Sequence, residues 1–275
     1  MTGAVACRLP DGRLHLQHGP IDLICEGWGA RDAVDAGYLR AWQRFDGLLE
    51  ELVAELPALR RENMALFGPI AQTMERAVAP FRPQFITPMA AVAGAVAEAV
   101  LAALVGHGIS RAYVNNGGDI ALHLRAGQAF SCALGRGQDL ITVQYQNNVR
   151  GIATSGWRGR SWSFGIADSV SVLAKTASMA DAAATMIANA VNLPGHPAIA
   201  RQPAHDLQAD SDLGVRLVTV GVERLTPPEI NTALAAGVAA AQAYRANGLI
   251  ESAALFLQGE GRIVGPLTLK EAAFA

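Results

Sequence analysis

Alternation opens the chain. AVACRL and RLHLQHG flank a PDG turn, and the second segment places apolar residues at every other position, the spacing of a half-buried strand in a hairpin. IDLICEG reads as a further strand. The period then lengthens: Val34, Tyr38, Trp42, Phe45, Leu49 and Leu52 recur at helical spacing, which predicts one amphipathic helix over 30–55, stopped by Pro57. Between Pro57 and Pro88 there are six prolines or glycines and no sustained period, so this stretch reads as connecting loop with a short helix. Met89 to Gly106 is rich in Ala and Val and apolar on nearly every side, which places a helix there at the centre of a core.

A block dense in strands follows. ISRAYVNN, DIALHL, AFSCAL, LITVQYQ, GIATSG and SFGIADSVSVLA are separated by glycine pairs or by GRGQ and RGRS turns. A second Ala-rich helix spans 179–191, and the polar segment LPGHPAIARQPAHD reads as a loop. GVRLVTVGVE is a strand, a long helix starts after Pro227–Pro228 and reaches Ala246, and ESAALFLQ and GRIVGP are terminal strands. There is no tandem repeat and no linker-like composition. This order predicts an α/β chain, a mixed sheet layered with helices, as one domain over 1–275.

Composition narrows the function classes. With 51% hydrophobic and 17% charged residues the chain is not disordered. Lys plus Arg number 22 against 24 Asp plus Glu, a net charge of −2, which argues against nucleic acid or an anionic membrane as the main partner. Lys175 and Lys270 are the only lysines. Cys7, Cys25 and Cys132 are odd in number and form no CxxC, so neither a disulfide framework nor a structural zinc site is expected. The first residues lack a basic segment followed by an apolar one, and the apolar run to Val105 is interrupted by Glu98 and short for a span. The expectation is a cytoplasmic protein.

Four places could carry chemistry. In Asn115-Asn116-Gly117-Gly118-Asp119 two glycines between strands permit positive φ and close backbone approach, so Asn116, Gly117 and Gly118 could cradle a phosphate while Asp119 orients a water or holds a sugar hydroxyl. The plain alternative is a tight hairpin. Thr154-Ser155-Gly156 closes a short strand and could donate to a phosphate; it is no nucleophile elbow, and a Ser/Thr turn explains it equally. Asp181 and Thr185 stand four apart on a helix, on one face, and could share one Mg2+. The rival is a cap, because Ser178-x-x-Asp181 has capping-box spacing. Asp168, between alanine and β-formers, could be a second metal carboxylate or a bulge residue. His15 and His18 would need a third ligand and face opposite sides of a strand, so they read as a solvated hairpin edge. His196 and His205 read as exposed loop residues.

NNGGDI, ATSG and ADAAATM occur in the order found in the ApbE family, the FAD:protein FMN transferases, and resemble that family's N-x-G-G-D, S-T-S-G and A-D-A-x-x-T elements. Met89 to Glu98 sits where those enzymes carry an A-K-G-x-x-x-D helix, so the resemblance covers residues 86–192. Three positions depart from it: Ala93 replaces the lysine, Glu98 replaces the aspartate, and Ser161 to Asp168 has neither the histidine nor the proline of the transferases. The wording resembles a branch of ApbE-like proteins apart from the transferases themselves. The resemblance implies an ApbE-like fold and a cleft for a small-molecule or nucleotide ligand, FAD, held at Asn116 to Asp119 and Thr154 to Gly156. It also implies Mg2+ on Asp181 and Thr185. Asp119 and Asp168 are then the catalytic candidates. A partner protein and an oligomer stay open, as do two other readings: a non-catalytic flavin-binding module, and an enzyme of different chemistry acting with a partner.

Overall fold

The first turn is set by Gly12, whose φ of 89° lets its N–H reach Leu9 O at 2.9 Å and fold the two opening strands together. The computed structural model describes residues 3–133, 139–266 and 270–271. In chain order the elements are β1 (Val5–Arg8), β2 (Leu14–His18), β3 (Ile21–Gly29), α1 (Arg31–Phe45), α2 (Leu48–Ala54), α3 (Leu56–Leu59), α4 (Pro69–Val78), and two 3-10 turns at Ala79–Phe81 and Pro88–Ala91. Then follow α5 (Val92–Leu104), β4 (Ile109–Asn116), β5 (Asp119–Leu124), β6 (Ala129–Ala133), β7 (Asp139–Gln144), β8 (Gly151–Ser155), β9 (Ser169–Ala174) and α6 (Ala177–Ala190). The last are β10 (Ile199–Pro203), α7 (Ala204–Leu207), β11 (Leu217–Val222), α8 (Pro227–Ala246), β12 (Ser252–Leu257), β13 (Glu260–Val264) and β14 (Lys270–Glu271). This is the mixed α/β architecture that the hydrophobic pattern predicts, built on antiparallel pairing.

The chain forms two compact units. One holds the described parts of Met1–Ser131, Thr142–Ala153 and Ala174–Asp181; the other holds those of Cys132–Ile141, Thr154–Leu173 and Ala182–Ala275. In the first, β1, β2, β3, β4, β5 and the start of β8 pair side by side, with Leu16 opposite Leu23, Cys25 opposite Val114 and Ala121 opposite Gly151. Inward positions alternate as the pleat demands, and α5 lies against β4, β5 and α1. Leu16, Leu23, Cys25, Val114, Val96 and Leu104 are fully buried there, so α5 is the central helix that its composition implies. In the second unit β12 pairs with β9 and β13, β10 with β11, and α8 packs on β12 and β13.

Several boundaries differ from the expectation. The helix over 30–55 is two helices: Gly47 takes φ 86° and ends the first, a left-handed residue that a helix interior cannot contain. Pro57 stops nothing, because it stands in the opening turn of α3, where its missing N–H is not needed. SFGIADSVSVLA is a strand only from Ser169; before it, isolated bonds such as Ile166 N–H to Val191 O replace the ladder. The polar stretch 193–206 contains β10 and the first three residues of α7, with Pro203 tolerated at the end of a strand. The GRGQ turn lies outside the described residues. Among the described residues no helix is long and apolar enough to cross a membrane.

Candidate functional site

Asn116 ends β4 and Asp119 begins β5 as directly opposed partners, so Gly117 and Gly118 form a two-residue loop. Their φ angles, 64° and 114°, are both positive, as a hairpin of this length requires. Asn115 Oδ1 accepts the Gly118 N–H at 2.8 Å, which is turn-forming work. A Cβ on Gly118 would meet nothing within 4 Å, so the turn has open space on that side. Asn116 faces inward, 8% exposed, and its Nδ2 donates to Ala93 O at 3.1 Å, tying the hairpin to the first turn of α5.

That first turn meets the first turn of α6. A Cβ on Gly94 would lie 2.3 Å from Ala177 O, and one on Gly151 would lie 2.2 Å from Thr176 C, so two glycines grip the segment that starts α6. The N-cap of α5, Ala91, offers no side-chain acceptor. Its place is taken by Asp181 of α6, whose Oδ2 accepts the Gly94 N–H at 3.0 Å. In return Glu98 of α5 accepts the Ser178 N–H at 2.6 Å and the Ser178 hydroxyl at 2.9 Å, while Thr176 Oγ1 accepts the Met179 N–H at 3.2 Å. Each helix thus supplies the carboxylate that caps the other. The local capping box proposed for Ser178 and Asp181 is corrected: both side chains look across to α5, and Thr176 is the residue that caps α6 from within.

Asp119 joins these two acids. Desolvation, then the charge of Asp119, raise the Asp181 carboxyl well above the ordinary aspartate range; Glu98 adds to this, and the N–H groups of Gly94 and Ala93 oppose it. Three carboxylates set against two helix N-termini of roughly +0.5 each leave about −2 when all are ionised. One divalent cation matches that charge. Thr185, half-buried, stands one turn beyond Asp181 on α6. Among the described residues no three His, Cys, Asp or Glu side chains are grouped as a metal chelate, so a cation here would need ligands from elsewhere, such as phosphate oxygens.

The other candidates lie in the second unit. Thr154 Oγ1 and Ser171 Oγ share a hydrogen bond of 2.8 Å, and Ser155 is half-buried. A Cβ on Gly156 would lie 2.5 Å from Asp168 O, so this glycine admits a neighbouring backbone strand. Asp168 Oδ2 accepts the Gln258 N–H at 2.6 Å and its own N–H reaches Phe256 O at 2.9 Å, with Arg158 Nε 3.8 Å from Oδ1. Its carboxylate pins the β12–β13 turn, where Gln258 has φ 46°. The stretch that replaces the transferases' histidine motif is fastened too: Asn189 Oδ1 accepts from Ser163 Oγ at 3.0 Å and Phe164 N at 2.9 Å, and Arg201 donates to Phe164 O at 2.6 Å.

Two histidine readings need correction. His15 stays at the surface beside Asp22, but His18 is 4% exposed, because positions 14, 16 and 18 of β2 all face the core. His196 is half-buried with Nε2 2.9 Å from Glu229 Oε1, whereas His205 is exposed beside Asp206. Sequence reading missed the roles of Gly94 and Glu98. The available signal was a lone glutamate inside an apolar helix, since a charge placed there must find partners.

The chain is a mixed α/β fold in which a glycine hairpin is tied to the start of α5, and the starts of α5 and α6 cap each other. A family model described as AbpE bacteria matches residues 6–263, and the chain belongs to that family. Among curated relatives, the UPF0280 protein of Methanothermobacter thermautotrophicus is 42% identical over 132 residues, 46% of this chain and 50% of that one. That of Methanococcoides burtonii is 36% identical over 137 residues, 46% and 55% of the two chains. The chain spans about half the length of the curated relatives it matches. A solved structure that resembles it is the apo form of Pseudomonas stutzeri flavinyl transferase ApbE, with TM-score 0.36 and 16% identity, covering 90% of this chain and 74% of that chain.

Proposed function

We propose that the chain binds an anionic nucleotide, FAD in the first instance, together with one Mg2+ where the Gly117–Gly118 hairpin meets the first turns of α5 and α6. The observation that carries this reading is the charge of Asp119 and of Glu98 acting on the desolvated Asp181 carboxyl, a setting that suits a divalent cation bringing phosphate ligands with it. Asp181 and Thr185 would hold the ion, and Mg2+, when bound, neutralises the pyrophosphate of the ligand. The backbone at Gly118, with open space beside it, admits the phosphates, and Glu98 keeps α6 in place through Ser178. Asp119 orients a hydroxyl, from water or from a Ser or Thr of a target protein, and takes its proton. The hydroxyl oxygen bonds to the FMN phosphorus, the anhydride P–O bond breaks and AMP leaves.

The test is FAD binding by flavin fluorescence with and without Mg2+, followed by chromatography for FMN and AMP. Asp181→Asn keeps an oxygen for the Gly94 N–H, so the fold should hold while Mg2+-dependent affinity falls about tenfold or more. Equal affinity with and without Mg2+, and in the variant, would refute the reading. A second reading, a binding module without chemistry, is favoured by the commitment of Asp168 to a turn and by the fastening of a histidine-free segment at 161–168. It expects Mg2+-dependent binding with no AMP released.

A further inference from the structure

The first unit contains a groove of about 340 Å³ that none of the residues from Asn116 to Asp119, nor Asp181, lines. Its apolar wall is Leu101, Ala102 and Val105 of α5; its polar groups are mainly basic, His123 of β5, Arg150 and Lys175. We propose that this groove binds a small amphiphilic anion, one carboxylate or phosphate head on an apolar body, with Lys175 as the charge partner and His123 as a hydrogen-bond partner.

Lys175 is exposed and has no ion pair or hydrogen bond among the described residues, although it is one of two lysines in the chain. His123 Nε2 is buried with no hydrogen-bond partner among them, a loss that a ligand oxygen reached by rotation of the ring would relieve. The surroundings of that ring are positive: besides burial, Arg125 and Arg150 both press its pKa downward, which keeps the imidazole neutral and able to donate or accept. Arg150 is a fixed wall rather than a mobile arm, since its guanidinium already donates to the carbonyls of Asn147, Val149 and Tyr145 at 2.8, 2.6 and 2.9 Å. The lone carboxylate on the lining, Glu98, is taken up by the two bonds from Ser178. A free inorganic ion would leave the wall of Leu101 and Val105 in water, and a neutral apolar molecule would leave Lys175 and His123 unmatched. An anion with an apolar body satisfies both.

The experiment follows the His123 ring resonance in the full chain, carbon-13 labelled at histidine and assigned through bonds, during titration at constant ionic strength. The probes are benzoate, phenyl phosphate and the neutral isostere benzyl alcohol. The expected result is a saturable shift with at least one anion and binding at least tenfold weaker for the alcohol, the tighter anion identifying the head group. Lys175→Met keeps the length of the stem and, at an exposed position, the fold; it should weaken anion binding about tenfold. No saturable shift with either anion overturns the proposal. So does equal binding of benzyl alcohol, or undiminished binding by the Lys175 variant. Mg2+ and FAD are absent throughout, so the result is independent of the nucleotide reading.

Discussion

Gly94→Ala is the sharpest test of the crossing between α5 and α6. In an exposed helix interior this substitution stabilises by about 1 kcal/mol, because alanine loses less backbone entropy and shields the helix. At position 94 the new methyl carbon would sit 2.3 Å from Ala177 O, 2.4 Å from Ala177 C and 2.6 Å from Ser178 N, all backbone atoms that cannot rotate away. The helices must separate by about 1 Å to restore ordinary contact. Overpacking of this kind costs about 1–3 kcal/mol. The same movement lengthens the bonds from Gly94 N–H to Asp181 and from Ser178 to Glu98, each a cap worth about 1 kcal/mol. With the two caps weakened by about half and the propensity gain subtracted, the net loss is about 2 kcal/mol. Urea unfolding followed by tryptophan fluorescence reads this as a midpoint lowered by about 1 M, at an m-value near 2 kcal/mol/M. Mg2+-dependent FAD binding should fall with it. A variant as stable as the parent, or more stable, would show that the two helix starts do not touch, and the reciprocal capping would fall with that contact.

Two further outcomes are expected in the second unit. Asp168→Ala should lose about 1–3 kcal/mol by leaving the Gln258 N–H without its acceptor, whereas Asp168→Asn, which retains an oxygen, should change stability and any FMN release little; loss of FMN release in a folded Asn variant would return Asp168 to the catalytic candidates. At the start of α8, the Thr226 backbone N–H and hydroxyl together with His196 hold the Glu229 carboxyl down at about 2. Its folded value lies below its unfolded one, so its contribution is complete above the ordinary carboxylate range and disappears as pH falls through about 2. The gap in urea midpoint between the parent and Glu229→Gln should therefore narrow steadily from about pH 5 downward, and a gap independent of pH would contradict the assignment.

How far the chain could be read in advance follows from the range of the interactions involved. β4 and β5 are legible to the residue, because alternation on both sides of Asn-Gly-Gly-Asp fixes the strands and the loop length at once. The long helix α8 is legible from its two prolines, although they stand in its first turn and not before it. The break at Gly47 is hidden because Phe45, Leu49 and Leu52 stay in helical phase across it, and side-chain period says nothing about one left-handed residue. β10 is hidden because an exposed two-stranded pair needs few apolar positions. At the site, Asp119 and Asp181 are visible as isolated acids among small apolar residues. Their arrangement is not, since the bonds from Gly94 to Asp181 and from Ser178 to Glu98 span 87 and 80 residues.

One regularity does reach across that distance. In α5 the sequence Gly94-Ala-Val-Ala-Glu98 puts a small residue at the crossing and a carboxylate one turn later; in α6 Ala177-Ser-Met-Ala-Asp181 does the same. The small residues let the two backbones meet, and each carboxylate, carried four positions onward, arrives beside the free N–H groups of the opposite helix. The repetition is what makes the caps reciprocal. It also explains why the acids accumulate: two helix ends that cap each other must bring two carboxylates to one place, and Asp119, delivered by the hairpin that Asn116 ties to Ala93, makes a third. On the proposed reading, a fold that needs its first two acids for structure thereby acquires an electrostatic setting suited to a divalent cation and the phosphates it carries.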